Sequence, residues 1–184
     1  LTNAECRFAY RDSIFKRELR GRAIITSVEF CLSKEPQVNL GYGDLARETE
    51  ARGGATLKNI REAVCAIRRS KLPDTTVLGN AGSFFKNPIV DAEVAEALMA
   101  KYENMPNYPA ANPEKRKLAA GWLIDQAGMK GYRTGNVGVH DRQALVLVNH
   151  GGATGGEVMS LAHHVQQCVA EKFGVKIEAE VNVL

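Results

Sequence analysis

The order of helical and extended periods along the chain constrains its fold more than any other feature. The longest helical stretch, "TGGEVMSLAHHVQQCVAEKFG", closes at Gly174 and runs directly into "VKIEAEVNVL", whose apolar residues alternate as in a strand. Earlier, "TLKNIREAVCAIRRSK" spaces Leu57, Ile60, Val64 and Ile67 as a helix does, with Thr56 as its N-cap. "DAEVAEALMAKY", capped by Asp91, and "KRKLAAGWLIDQAG", closed by Gly128, predict two more helices. Extended segments are predicted at "GRAIITSVEFCL" (21–32) and as two short runs in "GNVGVHDRQALVLVNH". "KEPQVNLGYGDLARETEARGG" and "ENMPNYPAANPEK" are polar and broken by proline or glycine, so they read as loops. Strands and helices mix without strict strand-helix-strand alternation, and the fold class is therefore α+β.

Charge and cysteine usage narrow the functions open to such a chain. The 184 residues carry a net charge of +3, and the basic residues are scattered apart from "RRSK" and "KRK". No basic patch is interleaved with aromatics, so nucleic acid is not an expected partner. Cys6, Cys31, Cys65 and Cys168 lie far apart without a CxxC pair, which speaks against a zinc site or a disulfide framework and suits a reducing compartment. No apolar run is long enough for a membrane span and no signal peptide is visible. The sequence opens on Leu1, and it is expected to begin inside a longer protein.

Three distant segments carry residues suited to one chemistry. In "LGNAGSFFKNPIV", Ser83 follows two glycines and precedes Phe84 and Phe85. Glycines allow close approach of the backbone, and the rings offer either a dry wall or plain core packing. "FAYRDSIFK" sets Arg11 between Tyr10 and Asp12, and "IEAEV" places Glu178 and Glu180 on one face of a strand. Taken singly, each has an ordinary reading: a surface salt bridge, a turn serine, a solvated glutamate. His163 and His164 read as structural, His140 and His150 are too isolated to be metal ligands, and Trp122 belongs to the core face of its helix. No metal site is expected.

Taken together, "YRDSIFK", "GYGDL", "KLPD…GNAGSFFKNP", "NYP", "KLAAGWLIDQAG", "QALVLVN" and "EAEV" resemble, in order and spacing, the C-terminal portion of the UDP-N-acetylenolpyruvoylglucosamine reductases. That resemblance implies a cytoplasmic bacterial flavoenzyme of peptidoglycan precursor synthesis. It would use FAD and NADPH to reduce UDP-N-acetylglucosamine enolpyruvate to UDP-N-acetylmuramate. Residues 1–70 would be the end of an FAD-binding α+β domain, 71–174 a compact UDP-sugar domain, and 175–184 a strand returning to the missing N-terminal half, itself the expected partner. Arg11, Ser83 and Glu180 would be catalytic. Ser83 resembles the proton donor and Arg11 the carboxylate partner. Glu180 would either donate a hydrogen bond to an enolate oxygen or orient the donor. Ala179 stands between the two acids where the family often has proline. Tyr42, Lys71, Asn87, Tyr108, Lys130 and Gln143 resemble substrate contacts, and Tyr10 with Arg11 would touch the cofactor. The family's flavin-pyrophosphate loop has no counterpart here, since "ARGGAT" and "NHGGATGGE" lack its strand-then-helix setting. The alternative is a UDP-sugar-binding fragment without turnover.

Overall fold

A computed structural model describes residues 1–183. Its contacts divide into two units, Leu1–Val64 and Cys65–Leu184.

The first unit is sparse in regular structure. Helix α1 (Asn3–Cys6) starts at Thr2, whose hydroxyl accepts from the Glu5 amide while the Glu5 carboxylate accepts from the Thr2 amide. That exchange is a capping box, and it satisfies two donors that a helix start otherwise leaves open. A single 3₁₀ turn covers Ile14–Lys16, and α2 spans Leu45–Glu50 inside the segment read from sequence as loop. The strand expected at 21–32 does not form: residues 23–32 carry no regular structure, with Ile24 90% and Leu32 81% exposed. A strand needs a neighbouring strand for its amides and a surface for its apolar face, and alternation alone supplies neither.

Helix α3 (Leu57–Lys71) crosses the division between the units. It begins where expected, with the Asn59 amide donating to the Thr56 hydroxyl at 3.1 Å. Its apolar stripe is only partly covered, however. Ala63 is its one buried residue, while Leu57 and Val64 are exposed.

The second unit contains two antiparallel sheets. Strand β1 (Gly79–Ser83) pairs with β7 (Val146–Asn149), which continues to β6 (Val137–Val139) and β5 (Arg133–Thr134). The other sheet sets β4 (Lys115–Leu118) between β2 (Ile89–Asp91) and β3 (Asn107–Pro109). Helices α4 (Ala92–Lys101), α5 (Ala120–Gln126) and α6 (Gly155–Phe173) complete it, so the observed class is α+β. The third predicted helix is thus shorter than its sequence period, because Lys115–Leu118 is taken into a sheet. Helix α6 has a capping box between Thr154 and Glu157 and ends on Gly174 at φ 67°, a conformation that favours glycine. Its buried stripe, Leu161, Ala162, Val165, Val169 and Phe173, joins Phe85, Leu118, Leu123 and Ile124 in one core.

Candidate active site

Strand β1 contains the turn that carries Ser83. Asn80 lies opposite Val148, but Ser83 lies opposite Val146, so one extra residue stands in β1 between the two pairs. This is a β-bulge, a device that re-aims side chains. Gly82 takes the strain at φ 73°, and a Cβ built there would meet nothing within 4 Å. The glycine is therefore required by backbone conformation rather than by a crowding neighbour. Beyond the bulge, Ser83 is exposed, while Phe84 and Phe85 are both buried with ring centroids 5.2 Å apart. Both rings are core packing, so the dry wall beside the hydroxyl is not what they provide. They anchor the strand immediately after Ser83.

The chain's last segment completes this edge. The Glu180 amide donates to the Phe84 carbonyl at 2.8 Å, and the Lys86 amide to the Glu178 carbonyl at 3.0 Å. Phe85 and Ala179 form the antiparallel bridge between them. Val175 and Ile177 are buried in the same core, which fixes the segment's register. Glu178 is ion-paired with Lys86. The second acid, half-buried Glu180, is thereby held by its main chain one residue from Ser83's strand position.

Arg11 belongs to the first unit. Ala9 and Asp12 exchange backbone hydrogen bonds of 3.0 and 3.2 Å, which puts Tyr10 and Arg11 at the corner of a tight turn. Arg11 sits at φ 54°, unusual for a residue with a side chain, and its guanidinium lies 5.4 Å from the Tyr10 ring centroid. The salt bridge expected of "YRD" exists, but Asp12 makes it with Arg17. The hydrogen bond from Arg17 is the main reason the Asp12 carboxyl titrates below its ordinary range.

The proposed substrate residues divide by location. Asn87 uses its side-chain oxygen to accept from the Ala120 amide at 2.9 Å, capping α5 from 33 residues away, since Ala119 has no capping side chain. Gln143 is near the same helix start: a Cβ on Gly121 would lie 3.6 Å from its amide oxygen. Tyr108 lies opposite Lys117 on β3 and β4, and the Lys117 ammonium is 5.7 Å from the Tyr108 ring centroid. Sequence reading passed over Lys117, whose signal was the basic run beside "NYP". Lys130 lies past the other end of α5 and forms an ion pair with Asp125 at 3.0 Å. Lys71 ends α3 and is exposed. Tyr42 is exposed in the first unit, with Gly43 beside it at φ 51°.

A groove of roughly 920 Å³ is lined by Asn80, Ala81 and Gly82 of the bulge together with Arg68, Arg69, His140 and Arg142. Among the described residues, no group of His, Cys, Asp and Glu is arranged to hold a metal ion, and no helix is long and apolar enough to cross a membrane. All four cysteines are free.

Residues 73–184 match the model of the UDP-N-acetylenolpyruvoylglucosamine reductase C-terminal domain. The chain belongs to that family. Curated relatives named UDP-N-acetylenolpyruvoylglucosamine reductase include one from Chromobacterium violaceum, 59% identical and aligned over the whole chain and 54% of its own length. Another, from Neisseria meningitidis serogroup C, is 52% identical over 100% of this chain and 54% of its own. The Burkholderia lata protein is 55% identical over 96% of this chain and 52% of its own. The chain thus spans about half the length of these curated relatives. Among solved structures, the UDP-N-acetylenolpyruvylglucosamine reductase of Thermus caldophilus matches with a TM-score of 0.43 and 25% identity, over 69% of this chain and 34% of that one.

Proposed function

We propose that this reductase-family chain carries the proton-delivering and sugar-nucleotide-binding part of a UDP-N-acetylenolpyruvoylglucosamine reductase. The observation that carries the reading is the bulge at Gly82, which presents Ser83 with Glu180 locked onto the next residue. The substrate would be UDP-N-acetylglucosamine enolpyruvate, and reduction of its enol ether needs a hydride and a proton. When bound, FAD charged by NADPH supplies the hydride to the terminal carbon. Negative charge then develops on the adjacent carbon and its carboxylate. Arg11 pairs with that carboxylate, Ser83 Oγ releases its proton to the adjacent carbon, and solvent restores the hydroxyl. Glu180 steadies the enolate or holds the serine in position. The partition into residues 1–70, 71–174 and 175–184 is part of this reading, as are Tyr10 on the cofactor and Tyr42, Lys71, Asn87, Tyr108, Lys130 and Gln143 on the substrate.

A flavin pyrophosphate would find several amides of the glycine-rich turns already engaged. Such a group needs several open amides. The Gly151 and Ala153 amides are instead taken by the Asn149 side chain at 2.8 and 3.2 Å, and those of Thr154 and Glu157 by the capping box. The Gly53 and Gly54 amides donate to the Glu50 and Thr49 carbonyls. The alternative, a UDP-sugar-binding fragment without turnover, is the weaker reading, since the family match and the relatives' common name support the reductase.

Two experiments test these readings. Calorimetric titration of the chain should show binding of UDP-N-acetylglucosamine and weak or no binding of FAD. Tight stoichiometric FAD binding would overturn this reading of the glycine-rich turns. In a chimera with the N-terminal part of the Chromobacterium violaceum reductase, Ser83→Ala should leave flavin reduction by NADPH near normal. Reoxidation by substrate should slow by about 10² to 10⁴-fold. Equal loss in both half-reactions, followed by stopped flow, would remove Ser83 from the proton step.

A further inference from the structure

The segment that carries Glu180 is extended, yet it is not a regular strand. Residues 175–181 contain one β-bridge residue, Ala179, and otherwise no regular structure. Val175 and Ile177 are buried in the core, with Val181 packed against it, so the inward face of this strap is settled by apolar burial. Its main chain is bonded to residues 84–86 at two points, the Glu178 carbonyl and the Glu180 amide. In an antiparallel pair, such groups lie on the same edge of the strap. Two bonds along one edge act as a hinge, about which the strap is free to swing. The Lys86–Glu178 ion pair does little to stop it, since it is exposed on the Glu178 side and such pairs contribute little in water.

A third bond acts on the other edge. Successive carbonyls of an extended chain point to opposite sides, so the Ile177 carbonyl faces away from that of Glu178. It accepts from Gln166 Nε2 of helix α6 at 2.8 Å. The acceptor is a carbonyl, so only the N–H end of the side-chain amide fits it. Ile177 is 2% exposed, and a carbonyl shielded to that degree depends on a protein donor. Gln166 is half-buried and is backed by a rigid element, because Val165 and Val169 of the same helix are fully buried. The strap is thus held from both edges, by residues 84–86 on one side and by α6 on the other. Glu180 follows three residues after the point that Gln166 fixes.

We propose that Gln166 is a positioning residue for the proton step, holding through the Ile177 carbonyl the strap that sets Glu180 beside the strand of Ser83. The proposal rests on the role given to Glu180 above. Gln166 acts on the backbone of the strap, and Glu180 remains the group that meets the reacting atoms. A displacement of about 1 Å at such a group can cost about a hundredfold in rate, so a bond remote from the chemistry is enough to matter.

Two variants separate hydrogen bonding from packing. Gln166→Met keeps the length of the side chain and removes the donor, while Gln166→Lys keeps a donor. A melting curve confirms that each is folded. In the 184-residue chain, Gln166→Met should speed hydrogen exchange at the Glu180 and Lys86 amides about tenfold and leave the Val165 and Val169 amides unchanged. In the chimera with the N-terminal part of the Chromobacterium violaceum reductase, it should lower kcat and flavin reoxidation by substrate about tenfold. KM and flavin reduction by NADPH should stay near normal. Gln166→Lys should return most of the lost rate, and Gln166→Met should add nothing to the loss caused by Glu180→Ala. Unchanged exchange, equal losses in the Met and Lys variants, or an additive loss beside Glu180→Ala overturns the proposal. Normal reoxidation in Gln166→Met together with slow reoxidation in Glu180→Ala overturns it and leaves the proposed function standing. Normal reoxidation in Glu180→Ala removes Glu180 from the reaction, and this proposal with it.

Discussion

Residues 23–32 and residues 175–181 have similar sequence character and different fates. Residues 175–181 alternate apolar and polar side chains throughout and residues 23–32 in part, and both are rich in β-branched residues. The first stays without regular structure and exposes Ile24, Val28, Phe30 and Leu32. The second buries Val175 and Ile177 and bonds its backbone to residues 84–86. Intrinsic preference is nearly equal, so the difference lies in what each segment finds to pair with. Extended structure is a property of the pair, and alternation only says which face would be covered.

Substitutions can break or sharpen this contrast. The largest effect should come from the packed core. Leu118→Ala, at a fully buried position, should cost about 2 to 5 kcal/mol of unfolding free energy. Ile24→Ala, at a position open to water, should stay within about 0.5 kcal/mol. Urea titration of both variants checks the pair, and similar losses would mean that residues 23–32 are covered in solution. Next in size is Gly82→Ala, where a side chain must adopt a left-handed conformation at a cost of about 1 to 2 kcal/mol. If β1 relaxes to escape that strain, the amide resonances of Ser83 and Glu180 should move together.

The smallest effect is a pH dependence confined to the second unit. Burial holds the His140 pKa below its ordinary value of 6.5, with Asp141 opposing and Arg142 assisting. Below that value the unfolded chain binds a proton more readily than the folded one, so stability should fall as pH drops from about 6.5. Above it the contribution is complete. Thermal melts between pH 7.5 and 5 should show a decline that His140→Gln flattens, and an unchanged slope in that variant would discard His140 as its source.

Local signals were legible in the sequence wherever they close on themselves within a few residues. Thr56 caps α3 and Gly174 ends α6 as their chemistry dictates. Signals that depend on distant partners were not. Asn87 caps a helix that begins at Ala120, and nothing near either residue announces it. The shortened α5 follows from β4 pairing with both β2 and β3, which the helical period of "KRKLAAGWLIDQ" conceals. Ser83 was found from its glycines, yet the reason for them is a bulge set by the register with β7. The Phe84 and Phe85 pair was visible as an aromatic feature, and its burial became plain only once the C-terminal segment lay over it.

The bulge also makes the site depend on parity. Successive residues of a strand face opposite ways, so adding one residue exchanges the two faces from that point on. A deletion anywhere in residues 80–82 would leave every remaining side chain in the sequence and restore a regular ladder with β7. Ser83 would still lie opposite Val146, but without the bulge that re-aims its side chain. Length changes in the neighbouring loop at 72–78 carry no such penalty, since no strand pairing counts its residues. The approach to the serine is therefore free to vary in size, whereas the spacing from Asn80 to Ser83 decides whether the strand carries its bulge at all.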